Sequence, residues 1–364
     1  MNIVMPRTRF DEFSRAYPRT MAIIESLIAR AGSDFQPKDA DEFSSRMTKE
    51  EMTACITEML AVLAADNGVP TNQAGIVFMR ESLQAQGALD KVSEVFSADM
   101  LMACRFLING QKTYYFADNL VARLAATKLT APADVATLPF RTCLFVFDGP
   151  AIYSALSPVF KNNPAPNKPL SVYLHQADKA NHIGLGIVAS QRGDRPHWVS
   201  TYIARSIRLV PGETIEDAMK TEWPDGPQAD WRDDAAFVRD GLSLQRIILN
   251  AILYLNSAHP DVDPAIRAFG EVPAVGAPRK ERRSYEHAVR HQTSLSYIPV
   301  GFKTPAIANT AGPGVALADR ILVAGHWKQQ AHGPGYSLRK AIHVEPYYRG
   351  PDMAELVNKP HIVT

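Results

Sequence analysis

The sequence predicts an α+β fold: a helical N-terminal half, a central antiparallel sheet with a buried helix, and a basic β-rich C-terminal region. Three observations lead there. Apolar residues recur at helical spacing as far as Asn109. Beyond Pro132 the pattern changes to short β-branched and aromatic runs bounded by turn residues. The charge shifts as well. Glu271 to Arg349 carries eleven Lys and Arg against five Asp and Glu, a net of +6, whereas the whole chain is +1.

Taken in order, Thr48 with Glu51 has the form of a capping box. Met52, Cys55, Ile56, Met59, Leu60 and Leu63 then fall on one helical face. Asn67-Gly68-Val69-Pro70 ends that helix. Val92, Val95, Phe96, Met100, Leu101, Cys104 and Leu107 form a second stripe, which stops at Asn109-Gly110; such stripes are core. Thr142 to Phe147 is an apolar β-rich run. Lys161 to Pro169, with three prolines and three asparagines, is a surface loop. Leu170–His175, His182–Ala189 and His197–Ala204 read as a meander with a turn at Gly193-Asp194. Thr214 and Asp217 open another helix, and Trp223 to Trp231 is a polar loop. Leu242 to Leu255 is apolar around most of its circumference, which predicts a buried helix ending before Pro260. Glu271 to Arg283 reads as a linker. Strands return at Ser294–Val300, Arg320–Val323 and Leu338–Glu345. The chain thus divides into a helical domain over 1–130, a sheet with its buried helix over 131–270, and a basic region over 271–364, the last two able to form one body.

Hydrophobic residues at 46% and charged residues at 21% are ordinary for a globular chain of 364 residues. A net charge of +1 excludes bulk charge as the basis for recognising a polyanion. Cys55, Cys104 and Cys143 are far apart, form no CxxC pair and sit among apolar neighbours, as reduced core thiols of a cytoplasmic protein do. The N-terminus has no signal-peptide run, and Ile247 to Leu255 is too short to span a bilayer, so no membrane partner is expected. Dinucleotide, P-loop, GxSxG and HExxH signatures are all missing, and no cofactor is expected.

The densest chemistry lies between Gly325 and Pro346, where Trp327, Lys328, Gln329, Arg339 and Lys340 surround Gly333-Pro334-Gly335. That mixture suits a surface that stacks on flat groups and holds phosphates or carbonyls. Trp327 and His326 are expected beside a concave site with Arg339, so that Trp327→Ala should abolish function without lowering the melting temperature. His326 and His332 are the catalytic candidates. With Lys328 and Arg339 they match the parts of a metal-independent ribonuclease. The alternative is that His326 only bonds backbone in a tight turn while Trp327 packs. His326, His332 and His343 have no carboxylate or thiol close by, which argues against a metal site. A second basic cluster, Arg279, Lys280, Arg282, Arg283 and Arg290, is placed to track a nucleic-acid backbone or to be a solvated loop. Trp198 reads as a strand residue in sheet packing.

These residues resemble a known family. Gly325-His326-Trp327, the Gly-Pro-Gly turn, a basic pair and a strand ending at Glu345-Pro346 are similar to the C-terminus of the second type V-A anti-CRISPR family. The resemblance extends upstream through Leu138 to Asp148, Ile207 to Met219 and Ile247 to Asp263, and covers about Leu138 to Arg349. Two features depart from the family. Val323-Ala324 precedes the Gly-His-Trp in place of a basic run, and Lys328-Gln329-Gln330 replaces a second His-bearing aromatic segment.

The resemblance implies an inhibitor encoded by phages or plasmids. Such a protein recognises the N-terminal polypeptide of a type V CRISPR effector as it is made and lowers the level of its message. The implied partners are a nascent polypeptide, the ribosome and mRNA. The peptide is expected at a sheet edge beside Trp327, with the basic third against RNA. Catalysis by this chain is not implied; the alternative remains a ribonuclease or RNA-binding protein using His326, His332 and Arg339.

Overall fold

The computed structural model describes residues 8–32, 35–147, 149–155, 170–176, 182–190, 199–209, 212–222, 235–262, 278, 280, 297–310 and 321–349. Sequence expectations for the loops at 161–169 and 223–231, the turn at 193–194, the strand position of Trp198 and most of the 271–283 linker lie outside the described residues.

Six helices come first: α1 (Arg9–Ala16), α2 (Pro18–Ala31), α3 (Ala40–Ser45), α4 (Lys49–Asp66), α5 (Gln73–Ala85) and α6 (Leu89–Ile108). Their ends are chemically specified. Thr48 and Glu51 form the reciprocal capping box on α4, and Thr8 and Asp11 do the same on α1. The N-terminus of α2 is capped from another helix. Glu58 on α4 accepts from the backbone N–H groups of Arg19 and Thr20 at 2.9 and 2.7 Å. These helices share an apolar core running from Phe13 and Ile24 through Met59 to Met100 and Cys104.

A six-stranded sheet follows. Its strands are β1 (Thr113–Phe116), β2 (Thr142–Phe147), β3 (Leu170–Gln176), β4 (His182–Ser190), β5 (Val199–Arg208) and β6 (Tyr297–Val300), in the order β5-β4-β3-β2-β1-β6. β3 to β5 form the expected antiparallel meander, and β2 pairs antiparallel with β3 to extend it. β1 pairs in parallel with both β2 and β6, so the sheet is mixed. Helix α7 (Asp118–Ala125) returns from β1, and α8 (Pro150–Ala155), α9 (Ile215–Glu222) and α10 (Ala235–Asn256) follow among the described residues.

The sheet is covered on both faces, which explains why β2 reads Thr-Cys-Leu-Phe-Val-Phe without alternation. Cys143, Phe145 and Phe147 turn towards the core shared with α7 and α10. Leu144 and Val146 turn the other way, against Met102 and Phe106 of α6. The α6 side carries a buried polar chain. Asn109 donates to the Thr142 hydroxyl at 3.2 Å, and Thr142 Oγ1 lies 2.7 Å from His175 Nδ1. Burial, then the nearby Arg105 and Arg141, holds the His175 imidazole well below its ordinary pKa.

α10 is the buried helix the sequence predicts: Leu244 and every residue from Ile247 to Tyr254 are buried. The three cysteines are unpaired and buried. Burial pushes the Cys104 thiol up to about 12 and raises Cys55 and Cys143 too, so all three are inert core groups. No helix among the described residues is long and apolar enough to cross a membrane.

The C-terminal elements are small. β7 (Asn309–Thr310), β8 (Ile321–Val323) and β11 (Tyr347–Arg349) form one sheet in the order β7-β11-β8. Between β8 and β11 lies a hairpin of β9 (His326–His332) and β10 (Leu338–Val344).

Candidate functional site

The stretch that the sequence marks as chemically dense is this hairpin. Antiparallel register pairs His326 with Val344, Lys328 with Ile342, Gln330 with Lys340 and His332 with Leu338 on one face. Trp327 with His343, Gln329 with Ala341 and Ala331 with Arg339 occupy the other. The candidates therefore separate. His326, His332, Lys328 and Lys340 point one way; Trp327, Gln329 and Arg339 point the other.

Trp327 lies in the core, 5% exposed, rather than on the surface the sequence reading gave it. Its indole N–H donates to Asn250 Oδ1 of α10 at 2.8 Å. Asn250 is itself fully buried and donates to the carbonyls of Leu124 and Thr127, both at 2.9 Å. One amide thus joins the end of α7, α10 and β9, with both its N–H donors and its oxygen engaged. Beside it, the His343 ring packs tilted by 33° against the Trp327 ring, centroids 4.9 Å apart, and its Nε2 lies 2.9 Å from Thr127 Oγ1. The Thr127 hydroxyl hydrogen is committed to the Arg123 carbonyl at 2.7 Å, so the His343 Nε2–H donates to Thr127. Burial, aided by Arg123 against the opposing pull of Glu345, depresses His343 to about 4, and the ring is neutral near pH 7.

Gly325 is required by close approach. A Cβ there would lie 2.8 Å from both Thr127 Oγ1 and the Val344 carbonyl, and 2.9 Å from Pro346 Cδ. Its own N–H and C=O bond to the Ala126 carbonyl and the Lys128 N–H. At the other end of the motif, Glu345 forms an ion pair with Arg123, which is 2% exposed and also donates to the Ala306 carbonyl at 3.2 Å. Gly325, Trp327, Glu345 and Pro346 therefore lock the hairpin base to α7 and α10.

The distal half is different in kind: Gly333 to Lys340 is exposed throughout. The turn runs through positive φ at Gly333 (76°), Gly335 (61°) and Tyr336 (57°). Tyr336 is a bulky residue in the left-handed region, which stores local strain, and its ring is 72% exposed. Arg339 Nη1 donates to the Tyr336 carbonyl at 2.6 Å and to the Leu338 carbonyl at 3.1 Å, so this guanidinium staples the turn.

The pair His326 and His332 cannot serve one reaction. They sit six residues apart on an extended strand, roughly 20 Å at about 3.4 Å per residue. General acid and base must both reach the same phosphodiester within hydrogen-bond distance. Arg339 is on the opposite face from both. The same distance prevents these two imidazoles from sharing a metal ion. Of the second basic cluster, Lys280 is exposed; Arg279, Arg282, Arg283 and Arg290 lie outside the described residues.

β9 has a free edge. Thr130 Oγ1 accepts from the Trp327 N–H and donates to the Trp327 carbonyl, both at 3.3 Å, so the backbone groups of Trp327 point away from β10. Two-residue periodicity then turns those of Gln329 and Ala331 to the same edge. Among the described residues no hydrogen bond reaches them. The Gln329 side-chain amide nitrogen is buried and has no hydrogen-bond partner among the described residues.

Sequence reasoning missed Arg123, Thr127, Thr130 and Asn250. Asn250 carried a signal: an amide amid the apolar run Ile247–Leu255 must find buried partners. Nothing in Gly-Pro-Gly-Tyr signals the left-handed Tyr336.

Comparison with known proteins covers the hairpin within a larger match. The model of the AcrVA2-like family, described as the anti-CRISPR type V subtype A2 family, matches residues 114–349, from β1 to the end of β11. A crystal structure of AcrVA2 is similar to 93% of this chain and 96% of that one, with 13% identity and a TM-score of 0.41. No curated protein matches.

Proposed function

Because the chain belongs to the AcrVA2-like, anti-CRISPR type V subtype A2 family, we propose that this inhibitor captures the N-terminal segment of a type V CRISPR effector while it emerges from the ribosome, and so lowers the effector's message. Its place of action on this reading is the cytoplasm, where translation occurs. The observation that carries the finer reading is the edge of β9 that no described residue pairs. Gln329 and Ala331 present two donors and two acceptors at strand spacing, and an unfolded N-terminus is an extended chain with its backbone groups unpaired. Backbone pairing supplies affinity, and neighbouring side chains read sequence. Trp327 sets the edge in place from within the core and does not touch the peptide.

The test uses ribosome–nascent-chain complexes displaying the effector's N-terminus. Ala331→Pro removes one outward N–H and blocks strand addition while leaving every β9–β10 hydrogen bond in place. It should abolish capture with little change in melting temperature. Gln330→Pro, which removes a bond to β10, should unfold the hairpin. Full capture by Ala331→Pro would refute docking at this edge.

The ribonuclease reading loses its geometry, since His326 and His332 lie at opposite ends of β9. Message loss on this account depends on translation and on a host nuclease.

A further inference from the structure

The outer face of the hairpin has no role in the capture just described. From Arg320 to Val344 there is no Asp or Glu, although Lys328, Arg339 and Lys340 are all present. Register gathers Lys328, Gln330, His332 and Lys340 on one exposed face, with Gln330 directly opposite Lys340. Lys328 and Lys340 are diagonal neighbours across the strand pair, roughly 7–8 Å apart. That is close to the step between neighbouring phosphates of an extended single strand. Tyr336 stands at the tip, fixed in its strained conformation by the Gly333 carbonyl and Arg339, with its ring in solvent. Cations at phosphate spacing next to an exposed ring are what a single-stranded nucleic acid needs: charge along the backbone and a platform for a base.

We propose that this face binds single-stranded RNA, with Lys328 and Lys340 on phosphates, Gln330 and His332 on sugar or base edges, and Tyr336 stacked on a base. The proposal rests on the reading above, in which the protein works at a translating ribosome and a message strand lies close to the captured peptide. It divides the hairpin into an edge for the peptide and a face for RNA. A peptide ligand for the face is disfavoured, because few proteins offer an acidic run at this spacing, whereas every RNA does.

The experiment measures fluorescence anisotropy of a labelled uridine oligonucleotide with the full-length protein over a series of salt concentrations. Wild type should bind with steep salt dependence. K328E/K340E should bind at least tenfold more weakly, with the slope of log K against log salt shallower by about 1.4, two phosphates at about 0.7 each. K328Q/K340Q should lose the same slope without introducing repulsion, and circular dichroism should show both variants folded. Y336A should weaken binding about tenfold and leave the slope unchanged. Unchanged binding by both double variants, no binding by wild type, or equal binding of polyglutamate would overturn the assignment. Nascent-chain capture by the same proteins separates the two proposals. A331P should lose peptide and keep RNA, and K328Q/K340Q should do the reverse. RNA binding as described by a wild type that captures no peptide would sink the capture reading and leave this one standing.

Discussion

An indole buried with its N–H bonded to a buried amide makes Trp327 a structural residue at a position where the sequence suggests a ligand platform. The expectation for Trp327→Ala is therefore reversed. The truncation leaves a cavity and costs about 3–5 kcal/mol. Trp327→Phe keeps most of the volume but strands Asn250 Oδ1, costing about 1–3 kcal/mol. Denaturant titration distinguishes the two, and a Trp327→Ala protein with wild-type stability would show that the indole is not so placed. His343 makes a pH prediction. Its pKa falls from 6.5 unfolded to about 4 folded, so the unfolded chain binds more protons between these values. The stability it contributes is fully present above pH 6.5 and is lost as pH falls towards 4, roughly 3 kcal/mol in all. His343→Gln should flatten that part of the stability curve. His175, depressed in the same direction, should keep some slope.

Among the elements, the hairpin turn holds backbone strain at Tyr336. A non-glycine residue at φ 57° costs about 1–3 kcal/mol, so Tyr336→Gly should raise stability while removing the exposed ring. A thermal melt that moves down would contradict that strain. Gly325→Ala should do the opposite and destabilise the hairpin base, since the new Cβ meets Thr127 Oγ1, the Val344 carbonyl and Pro346 Cδ. Elements long enough to show their period were legible from sequence. The α4 capping box, β2, β3, the start of α9 and the buried α10 fall where Thr48, Thr142–Phe147, Leu170–His175, Thr214 and Leu242–Leu255 place them. β1 was missed because Thr113–Phe116 is only four residues long and runs almost directly into α7. β9 was read as part of a turn. Its alternation mixes His, Lys and Gln outside with Trp, Gln and Ala inside, and a two-stranded hairpin has too little apolar surface to show a clear period. Within the candidate site, the sequence located the chemistry at Gly325–Pro346. It could not show which residues face inward, because that depends on the register between β9 and β10.

For the whole molecule, the sheet is the common wall. α6 ties the N-terminal helices to one face through Met102 and Phe106, and α7 and α10 cover the other, with the hairpin rooted on α10. The family match runs from the sheet to the end of the hairpin region. The measurement that tests this account most directly is an in-vitro translation of a type V effector message, with and without its start codon, following message length over time in the presence of the wild-type protein. The account predicts loss of the translated message only, abolished by Ala331→Pro and unaffected by His326→Ala. Equal loss of the untranslated message, removed by His326→Ala, would contradict it and make this chain a nuclease.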